Sequence, residues 1–80
     1  MEVSRGSLVQ VIAGRGKGEQ FLVIAKDGEY VYLADGNKMK VEKPKKKKLK
    51  HINKTNTILE IDFENISNSM VRKAFKELKA

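Results

Sequence analysis

The stretch Val9-Gln10-Val11-Ile12-Ala13-Gly14-Arg15-Gly16-Lys17-Gly18-Glu19-Gln20-Phe21-Leu22-Val23-Ile24 decides how the rest of the chain is read. It joins two apolar runs, Leu8 to Ile12 and Phe21 to Ala25, through a segment that is rich in glycine. Branched side chains pack well on a pleated surface, so both runs predict strands. Glycine reaches positive φ without a steric penalty, so the cluster between them predicts a tight loop. The loop is not a nucleotide-binding P-loop: the spacing Gly-x-x-x-x-Gly-Lys-Ser/Thr is missing and no helical pattern follows.

The same punctuation continues toward the C-terminus. Asp27-Gly28 precedes Tyr30-Val31-Tyr32-Leu33, a strong hairpin signal. Asp35-Gly36-Asn37 marks a second turn before Lys38-Met39-Lys40-Val41-Glu42. There Met39 and Val41 alternate with charged residues, the period of a half-buried strand. Pro44 withholds a backbone donor and ends that strand, and the mutual repulsion of Lys45 to Lys48 predicts an exposed arm or loop. Leu49 to Ile52 reads as a short fifth strand. Short strands joined by glycine turns predict a mainly β fold, a small and strongly curved barrel.

The last third changes period. Ser67 is a natural N-cap, and Met70, Val71, Ala74, Phe75 and Leu78 recur at helical spacing, which predicts a helix over about 68–79. Ile58 to Phe63 fits both the helical and the strand period. The expected organisation is a barrel over 1–55, carrying a lysine-rich arm over 38–54, and a C-terminal extension over 56–80 whose helix packs on the barrel.

Eighty residues form one domain with one modest core and no room for a deep interdomain cleft. The 17 basic and ten acidic residues give a formal charge of +7, which favours polyanionic partners through long-range attraction and counterion release. The excess is local. Residues 38–54 hold nine of the lysines and one acid, which leaves eight basic and nine acidic residues elsewhere. With no cysteine there is neither a disulfide nor a thiolate ligand, which fits a reducing compartment. The N-terminus lacks the design of a signal peptide, and no apolar run approaches the roughly 20 residues of a membrane span. The expected location is cytoplasmic.

Val9 to Ile24 resembles the KOW motif, an alternating hydrophobic stretch around a fixed Gly-x-x-Lys-Gly, here Gly14, Lys17 and Gly18. Asp35-Gly36-Asn37, Lys43 to Lys48 and Lys50-His51 extend the likeness to the small stand-alone bacterial KOW proteins akin to archaeal and eukaryotic large-subunit ribosomal proteins. The resemblance covers residues 6–55 well and the tail weakly. It implies an SH3-like barrel of about five strands whose loops contact RNA or, in some transcription elongation factors, protein.

The residues themselves point the same way. Glycines let the loop backbone approach a phosphate, with Arg15 and Lys17 flanking it and Gly16 between them; the alternative is a plain barrel turn. Gly14 is expected to serve the turn and Gly18 the close approach. Lys38, Lys40, Lys43, Lys45, Lys46, Lys47, Lys48, Lys50 and Lys54 are candidate phosphate contacts, with a solvated, solubilising loop as the alternative. His51, the lone histidine, has no second His or Cys with which to build a metal site, so it is assigned a structural or phosphate-contacting role. Tyr30 and Tyr32, opposite Val31 and Leu33, either stack on unpaired bases or pack under the helix. Glu60, Asp62 and Glu64 alternate with apolar residues and balance the basic helix face, so no catalytic residue is assigned. The expectation is a non-enzymatic RNA-binding protein, ribosome- or rRNA-associated, without cofactor, metal, membrane or small-molecule substrate. Lysine outnumbers arginine fourteen to three, and point charges without the bidentate fork imply selection of RNA shape over base sequence. The rival readings are a protein-interaction adaptor of the transcription or translation machinery, using the barrel surface or the helix stripe of Met70, Val71, Phe75 and Leu78, and a DNA-binding architectural protein.

Overall fold

The computed structural model describes residues 3–78. Its sheet is built from β1 (Ser7–Val11), β2 (Gln20–Asp27), β3 (Tyr30–Ala34), β4 (Lys45–Lys48) and β5 (Ile52–Ile58), and one α-helix, α1 (Asn68–Leu78), follows. All neighbouring strands are antiparallel, in the order β4-β3-β2-β1-β5. The two ends of that order do not pair, so the sheet is open along one seam. This is the expected mainly β architecture, a small SH3-like barrel with a C-terminal helix. Register shifts between Ser7 and Val9 and between Val23 and Ala25 bend the sheet on itself.

Strand alternation divides the apolar residues between two faces. Val9, Val11, Phe21, Val23, Val31, Leu33 and Ile52 form the barrel interior with Val3. At roughly 1.5–3 kcal/mol for each large apolar side chain removed from water, this cluster is the main source of cohesion. Leu8 pairs with Leu22 and Leu22 with Ala34, so these three lie in one row on the opposite face. They too are buried, as is Val71 of α1, outside the interior cluster.

The hairpin at Gly28 forms as expected, with Gly28 at φ +60°. The stretch that follows β3 inverts the expectation. Residues 38–42 form a turn rather than a strand, because the Asp35 carboxylate accepts the amides of Asn37 and Met39 and folds the chain back locally. Lys45–Lys48, expected as an exposed arm or loop, is strand β4, hydrogen-bonded to β3 through the pairs Tyr30↔Lys48, Val31↔Lys47, Tyr32↔Lys46 and Leu33↔Lys45. A lysine strand is stable there because it lies at an edge, where one face is wet and long aliphatic stems can cover apolar neighbours. Leu49–His51, expected to open the fifth strand, is a 3-10 turn; β5 begins at Ile52 and continues to Ile58, without a break at residue 55.

The segment after β5 straps the barrel. The Leu59 amide donates to the Gly6 carbonyl (2.7 Å), and the Arg5 guanidinium lies 4.7 Å from the centre of the Phe63 ring. Asp62 accepts from the Asn65 side chain and the Glu64 amide, and these bonds hold its carboxyl below the ordinary value. The Ser67 hydroxyl accepts the Met70 amide, which makes Ser67 the helix N-cap as expected. The helix is described as far as Leu78; the part of the expected span at residue 79 lies outside the described residues.

Three contacts lock α1 to the turn after β3. Arg72 Nη1 donates to the Gly36 carbonyl (2.6 Å), Asn68 Oδ1 accepts the Val41 amide (2.9 Å), and Asn68 Nδ2 donates to Glu42 (2.7 Å). Gly36 makes this docking possible. It sits at φ +78°, and a Cβ there would lie 2.5 Å from the Asn68 carbonyl oxygen. No helix among the described residues is long and apolar enough to cross a membrane.

Candidate nucleic-acid interface

The loop between β1 and β2 is braced from its base. The Val11 amide donates to the Glu19 carbonyl and the Gly18 amide to the Val11 carbonyl, while the Ile12 amide reaches the His51 carbonyl (2.8 Å). These bonds bring His51, half-buried in the 3-10 turn, to the root of the loop. Both Gly14 (φ +77°) and Gly18 (φ +93°) are left-handed, so Gly18 serves the turn as well as Gly14. The two differ in what they face. A side chain at Gly14 would meet Lys47 Nζ at 3.1 Å, whereas nothing lies within 4 Å of one at Gly18.

β4 supplies the charge beside this loop. Its side chains alternate: Lys45 and Lys47 are half-buried, opposite the core residues Leu33 and Val31, while Lys46 and Lys48 are exposed on the face of Tyr32 and Tyr30. The Lys45 and Lys47 ammonium groups both donate to the Arg15 carbonyl, at 3.4 and 3.2 Å. Two cations sharing one neutral acceptor repel, and an anion entering beside them would relieve that repulsion. On the far side of the loop, Lys38 Nζ lies 3.4 Å from Glu19. Both partners are largely exposed, so the pair is worth at most about 1 kcal/mol and gives way readily to a stronger anion. It is the one ion pair among the described residues, and most of the positive charge is therefore uncommitted.

The structure thus gathers Gly14, Arg15, Gly16, Lys17, Gly18, Lys38, Lys45 and Lys47 at one end of the barrel, with the His51 backbone beneath. It does not gather the whole candidate set. Lys46 and Lys48 face away with the tyrosines, and the Lys46 ammonium sits 4.3 Å from the Tyr30 ring centre. Tyr30 and Tyr32 are half-buried beside this lysine edge. Lys40 and Lys43 belong to the exposed turn near the start of α1, Lys50 is exposed in the 3-10 turn, and Lys54 is half-buried on β5 opposite Val9.

Sequence reasoning gave Phe75 to the apolar helix stripe and left Arg72 and Lys76 on the outer helix face, and missed that the three help to line a shallow cleft of about 680 Å³ beside Gly18 and Lys38. Their spacing, i, i+3 and i+4, places them on one helix face, but nothing in that spacing says which loop the face will meet. The apolar helix stripe is divided: Val71 is buried, Met70 and Phe75 are half-buried, and Leu78 is exposed. Among the described residues no group of three or more His, Cys, Asp or Glu is placed to hold a metal ion. Neither a scan against protein-family models nor a search of curated proteins gives a match to this chain.

Proposed function

We propose that this chain is a non-enzymatic, KOW-type RNA-binding module that works in the cytoplasm and grips the phosphate backbone of structured RNA, with ribosomal RNA the first candidate. One observation carries the reading: the left-handed glycine loop and the lysines of β4 meet at the Arg15 carbonyl. Sequence-distant cations thereby converge on a loop whose glycines expose backbone. The likeness to the KOW motif supports the same reading from the residues alone.

The test is the salt dependence of affinity for a structured RNA hairpin. For about four to six neutralised phosphates, log K against log salt should slope at roughly −3 to −5. A slope near zero would remove the mechanism.

A specific observation also favours a second reading, the adaptor. Ile58 (56% exposed) and Leu78 (43%) flank a groove of about 470 Å³ that Leu59, Ile61, Met70 and Ala74 also line. Under the RNA reading, nuclease treatment releases the protein from ribosomes. Under the adaptor reading, association survives nuclease and is lost on Ile58→Asp.

A further inference from the structure

We infer that the cleft between the glycine loop, the turn after β3 and α1 accepts a single unpaired nucleotide, with its base against Phe75 and its phosphate between Lys38 and Lys76. This rests on the RNA-binding reading and deepens it, because a grip on phosphates alone cannot tell a perfect duplex from an interrupted one.

Three segments far apart in sequence build the cleft: Gly18 to Gln20, Asp35 to Lys38, and the helix face of Arg72, Phe75 and Lys76. Its volume, about 680 Å³, lies within the range of small-ligand sites. Phe75, half-buried, gives it an aromatic surface, and bases stack on aromatic rings whatever their sequence. Arg72 is a fixed cation. Its guanidinium donates to the Gly36 carbonyl at 2.6 Å and to Ser69 Oγ at 3.2 Å, so it holds its place before any ligand arrives. Lys76, one helical turn on, has no carboxylate partner among the described residues.

The two acids in the lining offset part of these charges, and Lys38, Arg72 and Lys76 against Glu19 and Asp35 leave a net charge of +1. Asp35 Oδ1 accepts the amides of Asn37 and Met39, which ties that oxygen to its own turn. Glu19 is paired with Lys38 at 3.4 Å in solvent, and a phosphate can displace it. Gly18 completes the wall with open space in front of its backbone, so a sugar-phosphate chain can pass from the cleft toward Arg15, Lys45 and Lys47. The side-chain amides of Gln20 and Asn37, both exposed, offer donors and acceptors to a base edge. A paired base is stacked within its helix and cannot enter, which limits the occupant to a bulged, looped or terminal nucleotide.

The experiment compares two RNA hairpins that differ by one bulged nucleotide in the stem, with affinity read by fluorescence anisotropy and folding by thermal melting. The wild-type chain should prefer the bulged hairpin by about 5- to 150-fold, the value of one stacked base. Phe75→Leu, which keeps an apolar side chain, should erase that preference and leave affinity for the paired hairpin within about twofold. Lys76→Ala, at an exposed position, should weaken bulge binding in a chain that melts normally. Replacing Lys45, Lys46, Lys47 and Lys48 by alanine should weaken both hairpins and preserve their ratio. Equal wild-type affinities, or equal losses on both hairpins in Phe75→Leu, would overturn the cleft assignment while leaving the phosphate grip standing. Failure of both hairpins to bind would overturn the RNA reading itself. Hexaglutamate binding that Lys76→Ala removes, without bulge preference, would give the cleft to an acidic peptide and overturn the proposal.

Discussion

The turn after β3 and the lysine strand that follows it are adjacent in sequence, yet they are held by different forces. The turn is fixed by directional bonds at 2.6–2.9 Å from Arg72, Asn68 and Asp35 and by the approach of the helix backbone to Gly36. Beyond its ladder with β3, β4 makes long contacts to one carbonyl and lays a single ammonium over one ring. One region spends its polar groups on internal partners, and the other leaves its charges available. A ligand-binding function should therefore separate cleanly from stability along this line, and each half of the contrast can be attacked.

The largest effect is expected at Gly36. Gly36→Ala adds a Cβ that collides with the Asn68 carbonyl at a left-handed position, so it should cost about 3 kcal/mol or more of stability through overpacking and strain, read as a drop in melting temperature. Alanine at Lys45, Lys46, Lys47 and Lys48 together should do the reverse. Stability should fall by no more than about 1 kcal/mol, while RNA affinity falls about 10- to 100-fold and the log K against log salt slope becomes shallower by roughly 1.5 to 2, the share of Lys45 and Lys47, to be measured by anisotropy titration. If that variant unfolds, β4 is as structural as the turn and the contrast fails.

Smaller changes sharpen the boundary. Asn68→Ala removes the partners of Val41 and Glu42 and should cost about 1–2 kcal/mol in denaturant unfolding, with RNA affinity unchanged for the folded protein. Lys46→Gln removes the cation over Tyr30, worth about 0.5–1 kcal/mol at an exposed site, and should lower the melting temperature by about 2–8 °C. A loss at Lys46 that exceeds the loss at Asn68 would show that the edge is locked after all.

The same contrast explains what could be read from the residues alone. The first three strands, the Gly28 turn, the Ser67 cap and the helix announce themselves through apolar period and turn chemistry, which are local signals. The strand at Lys45–Lys48 has no apolar residue, and its stability comes from a ladder with β3, a partner that sequence period does not reveal. The expected strand at 38–42 was suggested by Met39 and Val41, whose alternation a turn closed by Asp35 reproduces equally well. Of the candidate site, the glycine loop and the lysine content were legible. The alternation that sends Lys45 and Lys47 toward the loop and Lys46 and Lys48 toward the tyrosines was not, since it depends on strand register. Arg72, Phe75 and Lys76 were hidden because tertiary docking alone brings a helix face to a loop.

The strand order has a further consequence, for the time course of folding. β1 to β4 form a meander in which each strand pairs with its neighbour in sequence, whereas β5 must return to β1 across most of the chain, as in the bond from Thr55 to the Leu8 carbonyl 47 residues away. Closing that long loop costs chain entropy before any contact offsets it, so β5 should dock late. Substitutions at Thr55 should then speed unfolding and leave the folding rate almost untouched, whereas Val31→Ala in the meander should slow folding. The lysine strand belongs to the early unit, so the cations would be lined up along β3 while the barrel is still open.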